Sequence, residues 1–305
     1  MTVRSRDTSP VASMPGLPSR DNGRMNRRRF ALFLALAGSW PALVLARPPN
    51  AFSKRALDPF VVYYGEFADP AIADYALAVL DGTVDGRALQ HPDTTFLGYV
   101  SVGEVASYQP QYDEVRKEGI LGEVNPNWPD SRFVDMRSEL WHRRVLDELV
   151  PDLLAKGFDG VFLDTLDNAE HLEAVDPLGF RGMVRGAARL VDEMRRRYAD
   201  VPIMINRGYK VLPLIAGRFD MLLGESVRSR FSESGHVMQS TEDYEWQRNE
   251  MWAALDRDPK LRLFSLDYWD PDDRETVAFL YKAQRSNGFI PYVSTKSLQQ
   301  IFAAP

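Results

Sequence analysis

The chain has 305 residues and a net charge of −6, with a pI near 5.4; this acidic balance excludes the basic surface that a nucleic-acid binder presents. It contains no cysteine, which removes disulfides, thiol nucleophiles, thiolate zinc sites and iron–sulfur clusters together. Its 45% hydrophobic content is that of a globular protein with a real core, and its length suits one large domain or two modest ones.

Residues 1–24 are rich in Ser, Pro, Arg and Gly without apolar periodicity, and read as disordered or as lying upstream of a true start at Met25. From Met25 a cationic head, Asn26-Arg27-Arg28-Arg29-Phe30, leads into an apolar stretch ending at Ala46. That order is a secretory leader. The Arg27-Arg28-x-Phe30 core resembles a twin-arginine export signal, with cleavage expected before Arg47. The apolar stretch is short and broken by Pro41, so stable membrane insertion is not expected once the leader is removed. The expected organisation is a disordered N-terminus and leader over 1–46, a linker over 47–58, and one domain over 59–305. The destination is periplasmic or secreted, and the protein a monomer.

Beyond the linker, short apolar runs alternate with helix-patterned stretches. The runs are Phe60–Tyr64, Ala76–Asp81, Thr95–Gly103, Phe133–Arg137, Gly160–Asp164, Pro202–Asn206, Phe219–Glu225, Leu261–Asp267 and Phe289–Ser294. Helices are expected over Glu139–Lys156, Leu178–Tyr198, Glu242–Asp256 and Asp273–Ser286. Trp141, Val145, Leu149 and Leu153, for instance, share one helix face. Strands alternating with helices imply a parallel sheet. No Gly-rich phosphate turn follows the first strand, against an open dinucleotide-binding sheet. Run after run ends on a polar residue: Asp81, Glu104, Arg137, Asp164, Asn206, Glu225, Asp267. In a closed (β/α)8 barrel those positions ring the catalytic mouth. Strand alternation places Phe162 with Asp164, Asp135 with Arg137, Met204 with Asn206, Leu223 with Glu225 and Ser265 with Asp267 on shared faces. One α/β domain, a single (β/α)8 barrel, accounts for the chain after the leader.

The most informative segment is Gly157-Phe158-Asp159-Gly160-Val161-Phe162-Leu163-Asp164, an apolar strand running straight into a carboxylate. Asp167 and Asn168 follow it and equally suit a helix start. Glu225 closes a second apolar strand, where a carboxylate is costly unless paired or functional; a salt bridge to Arg207 or Arg228 is the plain structural alternative. Glycoside hydrolysis in most families uses two carboxyl groups flanking the bond, one protonated and one ionised. Asp164 and Glu225 fit that pair, with Glu225, on the more apolar strand, favoured as the acid. Glu104 and Asp267 are second-rank carboxylates, able to bind a sugar hydroxyl or to cap a loop. Tyr64, Trp128, Trp269 and Tyr292 lie in or after strand ends, where ring faces stack on sugars, although single aromatics more often pack. Asn206-Arg207 either binds substrate or holds Glu225 ionised. The histidines have no metal-ligand spacing, so neither a metal nor a cofactor is expected. No Gly-x-Ser-x-Gly elbow appears.

Taken in order, the segments Phe96–Glu104, Asn127-Trp128-Pro129, Phe133–Ser138, Gly157–Asp164 and the Glu225 strand resemble glycoside hydrolase family 114, the endo-α-1,4-polygalactosaminidases and their relatives. The resemblance spans roughly residues 60–301. It implies a (β/α)8 fold and cleavage of a partly de-acetylated, galactosamine-containing polymer; related domains occur in proteins that make or trim the Pel polysaccharide. It also implies Asp164 and Glu225 as the catalytic pair. From the residues themselves, Tyr64, Tyr99, Glu104, Asp135, Arg137, Asp167, Asn206, Asp267, Trp269 and Tyr292 are the substrate-binding candidates. The expected partner is an amino-sugar polysaccharide, to which an acidic protein is electrostatically suited. The reading from a different class is a non-catalytic polysaccharide-binding barrel in exopolysaccharide export or assembly.

Overall fold

The computed structural model describes residues 56–65, 69–89, 91, 93–232 and 234–305. The leader expected over 1–46, and most of the linker expected over 47–58, lie outside them. Eight parallel strands form the central sheet: β1 (Phe60–Tyr63), β2 (Leu77–Leu80), β3 (Thr95–Ser101), β7 (Gly160–Asp164), β8 (Ile203–Asn206), β9 (Met221–Glu225), β12 (Arg262–Tyr268) and β13 (Ile290–Ser294), side by side in that order. All are short apolar runs buried on both faces, as parallel strands covered by helices must be. They curl into a nearly closed (β/α)8 barrel. The β1/β13 seam is held by side chains and by the C-terminal segment rather than by a ladder. Phe60 meets Tyr292 edge to face at 5.9 Å, Tyr64 N–H donates to Leu298 C=O at 2.7 Å, and Tyr75 Oη donates to Phe302 C=O at 3.1 Å.

Three further strands stand beside the barrel after β3: β4 (Glu104–Ala106), β5 (Leu121–Asn125) and β6 (Trp128–Val134), antiparallel in the order β4-β6-β5. The run Phe133–Arg137, expected to be a barrel strand, therefore belongs partly to β6 and then leaves it. An apolar run states that a segment is buried, not which edge it pairs with. A second hairpin, β10 (Ser229–Ser232) with β11 (Gly235–Met238), follows β9.

The helix expected over Glu139–Lys156 forms as α2 (Glu139–Arg144) and α3 (Val150–Ala155), joined by a wide π-type turn over Val145–Leu149. Pro151, near the start of α3, has no N–H to continue the regular ladder, which accounts for the widening. Met183–Arg197 (α5) buries Met183, Ala187, Leu190, Val191 and Met194 at helical spacing. A Cβ on its Gly186 would lie 2.5 Å from Met136 C=O, so only glycine admits this approach. Thr241–Arg257 (α6) is capped by Ser240, which accepts from Asp243 N–H at 3.0 Å, and Arg274–Ser286 (α7) by Asp273. Between β7 and α5 lies the shorter α4 (Asn168–Val175).

Candidate active site

Strand register explains how the mouth is populated. Ser101 pairs with Asp164, Asn206 with Leu223 and Glu225 with Leu266. Partners side by side in a parallel sheet point to the same face, so Asp164, Asn206 and Glu225 converge inside the barrel at its C-terminal end. Asn206, 6% exposed, bridges the two acids. Its Nδ2 donates to Asp164 Oδ1 at 2.9 Å and to Glu225 Oε2 at 2.7 Å. The other oxygens are also held: Tyr99 Oη donates to Asp164 Oδ2 at 2.9 Å, and Tyr268 Oη to Glu225 Oε1 at 2.5 Å. Asn206 Oδ1 is buried and has no protein partner. The two N–H bonds of an amide diverge by about 120°, which sets the two carboxyl oxygens that Asn206 holds about 5 Å apart.

Burial and the nearby charge of Asp164 push the Glu225 carboxyl above the usual carboxylate range, while Tyr268, Asn206 and Arg207 oppose the shift. Each carboxyl group accepts two hydrogen bonds, Asp164 from Tyr99 and Asn206 and Glu225 from Tyr268 and Asn206. The phenols of Tyr64, Tyr99 and Tyr268 are driven well above their ordinary range, first by burial and then by these carboxylates, and so stay neutral donors. Tyr64 packs edge to face on Tyr99 at 5.4 Å.

Further carboxylates border the pair. Glu104 accepts from Asn125 Nδ2 at 2.7 Å and Asn168 Nδ2 at 3.2 Å. Burial raises its carboxyl, as it does that of Asp167, which faces Arg207 at 3.6 Å. Asp167 precedes α4 but makes no side-chain capping bond. Two residues that directly follow site residues have left-handed backbones, Thr165 (φ 62°) and Arg207 (φ 53°). A β-branched residue there is strained by roughly 1–3 kcal/mol. Thr165 is held by its hydroxyl, which accepts from Gly103 N–H at 2.8 Å and meets Ser101 Oγ at 2.9 Å. This tie fixes the turn that carries Glu104 against the end of β7.

Tyr64, Tyr99, Glu104, Asp167 and Asn206 thus gather around Asp164 and Glu225; five other expected positions do not. Asp267 lies on the opposite face of β12, 0% exposed. It accepts from Arg228 and Ser229 N–H at 2.6 and 2.8 Å and from Gln284 Nε2 at 2.6 Å. The strand runs one residue further than expected, and the next residue, Tyr268, is the one that turns inward. Its signal was available, since Tyr268 shares parity with Leu266. Asp135 and Arg137 form a bidentate pair, with both bonds at 2.8 Å, and Arg137 clamps the carbonyls of Gly179 and Arg181. Neither reaches the carboxyl pair, because their run is not a barrel strand. Tyr292 is 0% exposed within the barrel core, and its hydroxyl accepts from Phe302 N–H at 3.3 Å. Trp269 packs beside α7 against Val277, Leu280, Tyr281 and Val293, donating to Asp273 at 2.9 Å. Glu225 forms no salt bridge among the described residues; Arg207 turns to Asp167 instead.

Residues 45–305 match the model of glycoside-hydrolase family GH114. The chain belongs to this family. It is a glycoside hydrolase. Among solved structures it is similar to the glycoside hydrolase domain of PelA from Pseudomonas aeruginosa, at 23% identity and a TM-score of 0.69, covering 80% of this chain and 97% of that one. It is also similar to Ega3 from Aspergillus fumigatus, solved with galactosamine, at 15% identity and a TM-score of 0.60, covering 81% of this chain and 94% of that one. At these identities the two structures establish the shared barrel. No curated protein matches the sequence.

Proposed function

We propose that this GH114 protein is an exported endo-acting hydrolase of an α-1,4-linked, galactosamine-containing polysaccharide, with Glu225 as acid and base and Asp164 as nucleophile. The observation that carries the assignment is the Asn206 amide bonded to both carboxyl groups. A spacing near 5 Å is that of retaining enzymes, which have no room for a water between acid and base. In the first step the Glu225 proton passes to the glycosidic oxygen as its bond to the anomeric carbon breaks, and an Asp164 oxygen bonds that carbon. In the second, ionised Glu225 takes a proton from water, whose oxygen attacks the same carbon and releases Asp164. Tyr99, Tyr268 and Asn206 donate to the two groups throughout, and the free Asn206 Oδ1 is an acceptor for a sugar N–H or O–H. The ring of Glu104, Asp167, Asp164 and Glu225 suits a cationic amino sugar. Ega3, a fold relative, was solved with galactosamine.

Incubating residues 47–305 with α-1,4-galactosamine polymers, acetylated and de-acetylated, tests this reading. Oligosaccharides are expected, and NMR of the first product should show an α-anomer. Binding without shortening would instead establish a non-catalytic polysaccharide-binding barrel, and a β-anomer would place a water between the two acids. Export rests on the Arg27-Arg28 leader. The mature protein recovered from a bacterial host is expected outside the cytoplasm with Arg47 as its first residue; a cytoplasmic protein retaining residues 25–46 refutes export.

A further inference from the structure

Three loops that leave different barrel strands converge on one ammonium group. The β5–β6 hairpin, beyond β3, brings Trp128; the β10–β11 hairpin, after β9, brings Phe231; Lys296 follows β13 directly. Lys296 Nζ lies 5.4 Å from the centre of the Trp128 ring and 5.2 Å from that of Phe231. The aromatic row continues from Phe231 to His236 at 5.5 Å and from His236 to Trp269 at 5.9 Å. Trp128 is 55% and Phe231 41% exposed, and Lys296 is exposed and forms no ion pair among the described residues. Large rings left in water around an unneutralised cation do little for the fold, but they offer flat faces and a donor to a ligand.

The Lys296 end of the row borders the barrel mouth. Ser294, two residues before Lys296, is the register partner of Tyr268, whose hydroxyl holds Glu225. Two residues of chain span at most about 7 Å. The two ends of this region carry opposite charge: Asp164, Glu225, Glu104 and Asp167 at the centre, and a lysine at the rim. A free amino sugar bears a positive charge that the centre attracts and the rim repels. An acetamide reverses the second preference. It is neutral, its carbonyl accepts from an ammonium, and its methyl packs on an aromatic face.

We infer that Trp128, Phe231 and Lys296 form a sugar subsite that selects an N-acetylated amino sugar, so that a partly acetylated chain is placed with a free amine at the carboxylates and an acetamide at the rim. This rests on the amino-sugar reading above. The test is calorimetric binding of fully acetylated and fully de-acetylated α-1,4-galactosamine tetramers to the non-cleaving Asp164→Asn protein, with and without Lys296→Glu. Reversing the rim charge is expected to weaken the acetylated tetramer and tighten the de-acetylated one, each by about fivefold at low salt, with the tightening lost near 1 M salt. Lys296→Gln should give about half of each effect on a logarithmic scale, and because Lys296 is exposed both variants should keep the parent's unfolding temperature. Affinities that move together for the two tetramers, or do not move, overturn the subsite, as does a protein that binds neither. Wild-type turnover stands apart: binding with this selectivity but no cleavage would remove the proposed reaction and keep the subsite.

Discussion

Asp164→Asn and Glu225→Gln should each lower polymer turnover by at least about a hundredfold, the scale of losing acid–base or nucleophilic help, while unfolding temperatures stay near wild type. Both replacements are isosteric, and each amide oxygen can still accept from Tyr99, Tyr268 or Asn206. The two variants separate by rescue. With Glu225→Gln, a substrate whose leaving group needs no proton should still form the glycosyl-enzyme, and azide should then yield a glycosyl azide of retained configuration. With Asp164→Asn, azide takes the nucleophile's place and gives the opposite configuration. Cleavage that survives both substitutions would keep the enzyme and remove this pair as its site. Glu225→Gln should also abolish the alkaline limb of the pH profile, because the acid must be protonated and burial beside Asp164 raises its carboxyl.

Asn206→Ala is expected to lower kcat by roughly a hundredfold, because one amide orients both carboxyl groups of the proposed pair. The same bond stabilises ionised Glu225, opposing the upward shift from burial. Removing it raises the folded-state carboxyl further. The alkaline limb of kcat, where Glu225 gives up its proton, should therefore move to higher pH. An unchanged limb, or one at lower pH, would show that Asn206 does not govern the acid. Folding stability should also fall by about 2 kcal/mol near pH 7, since two buried carboxyl groups each lose a donor. The loss should shrink in acid, where a protonated Glu225 no longer needs it; denaturant titrations at two pH values measure this.

Much of this protein is legible in its residues. Short β-rich apolar runs separated by helical stretches give the parallel barrel. Asp164, Asn206 and Glu225 each end such a run, and parity along the strand turns all three to one face. Asp267 fails for the same reason that these succeed. Alternation has a period of two, so ending β12 one residue early exchanges Asp267 for Tyr268. Asp135 and Arg137 fail differently, because the hydrophobicity of Phe133 and Val134 is satisfied by pairing with β4 and β5 rather than within the barrel.

The sequence by itself determined the family, the barrel and the placing of Asp164, Asn206 and Glu225 at strand ends, because these depend on local pattern and residue type. Only the tertiary structure decided that one Asn206 nitrogen binds both acids and that Tyr268 rather than Asp267 meets Glu225. It alone brought Trp128, Phe231 and Lys296 around one point. Each of these depends on strand register and on loops distant in the chain, and packing of the whole barrel sets both.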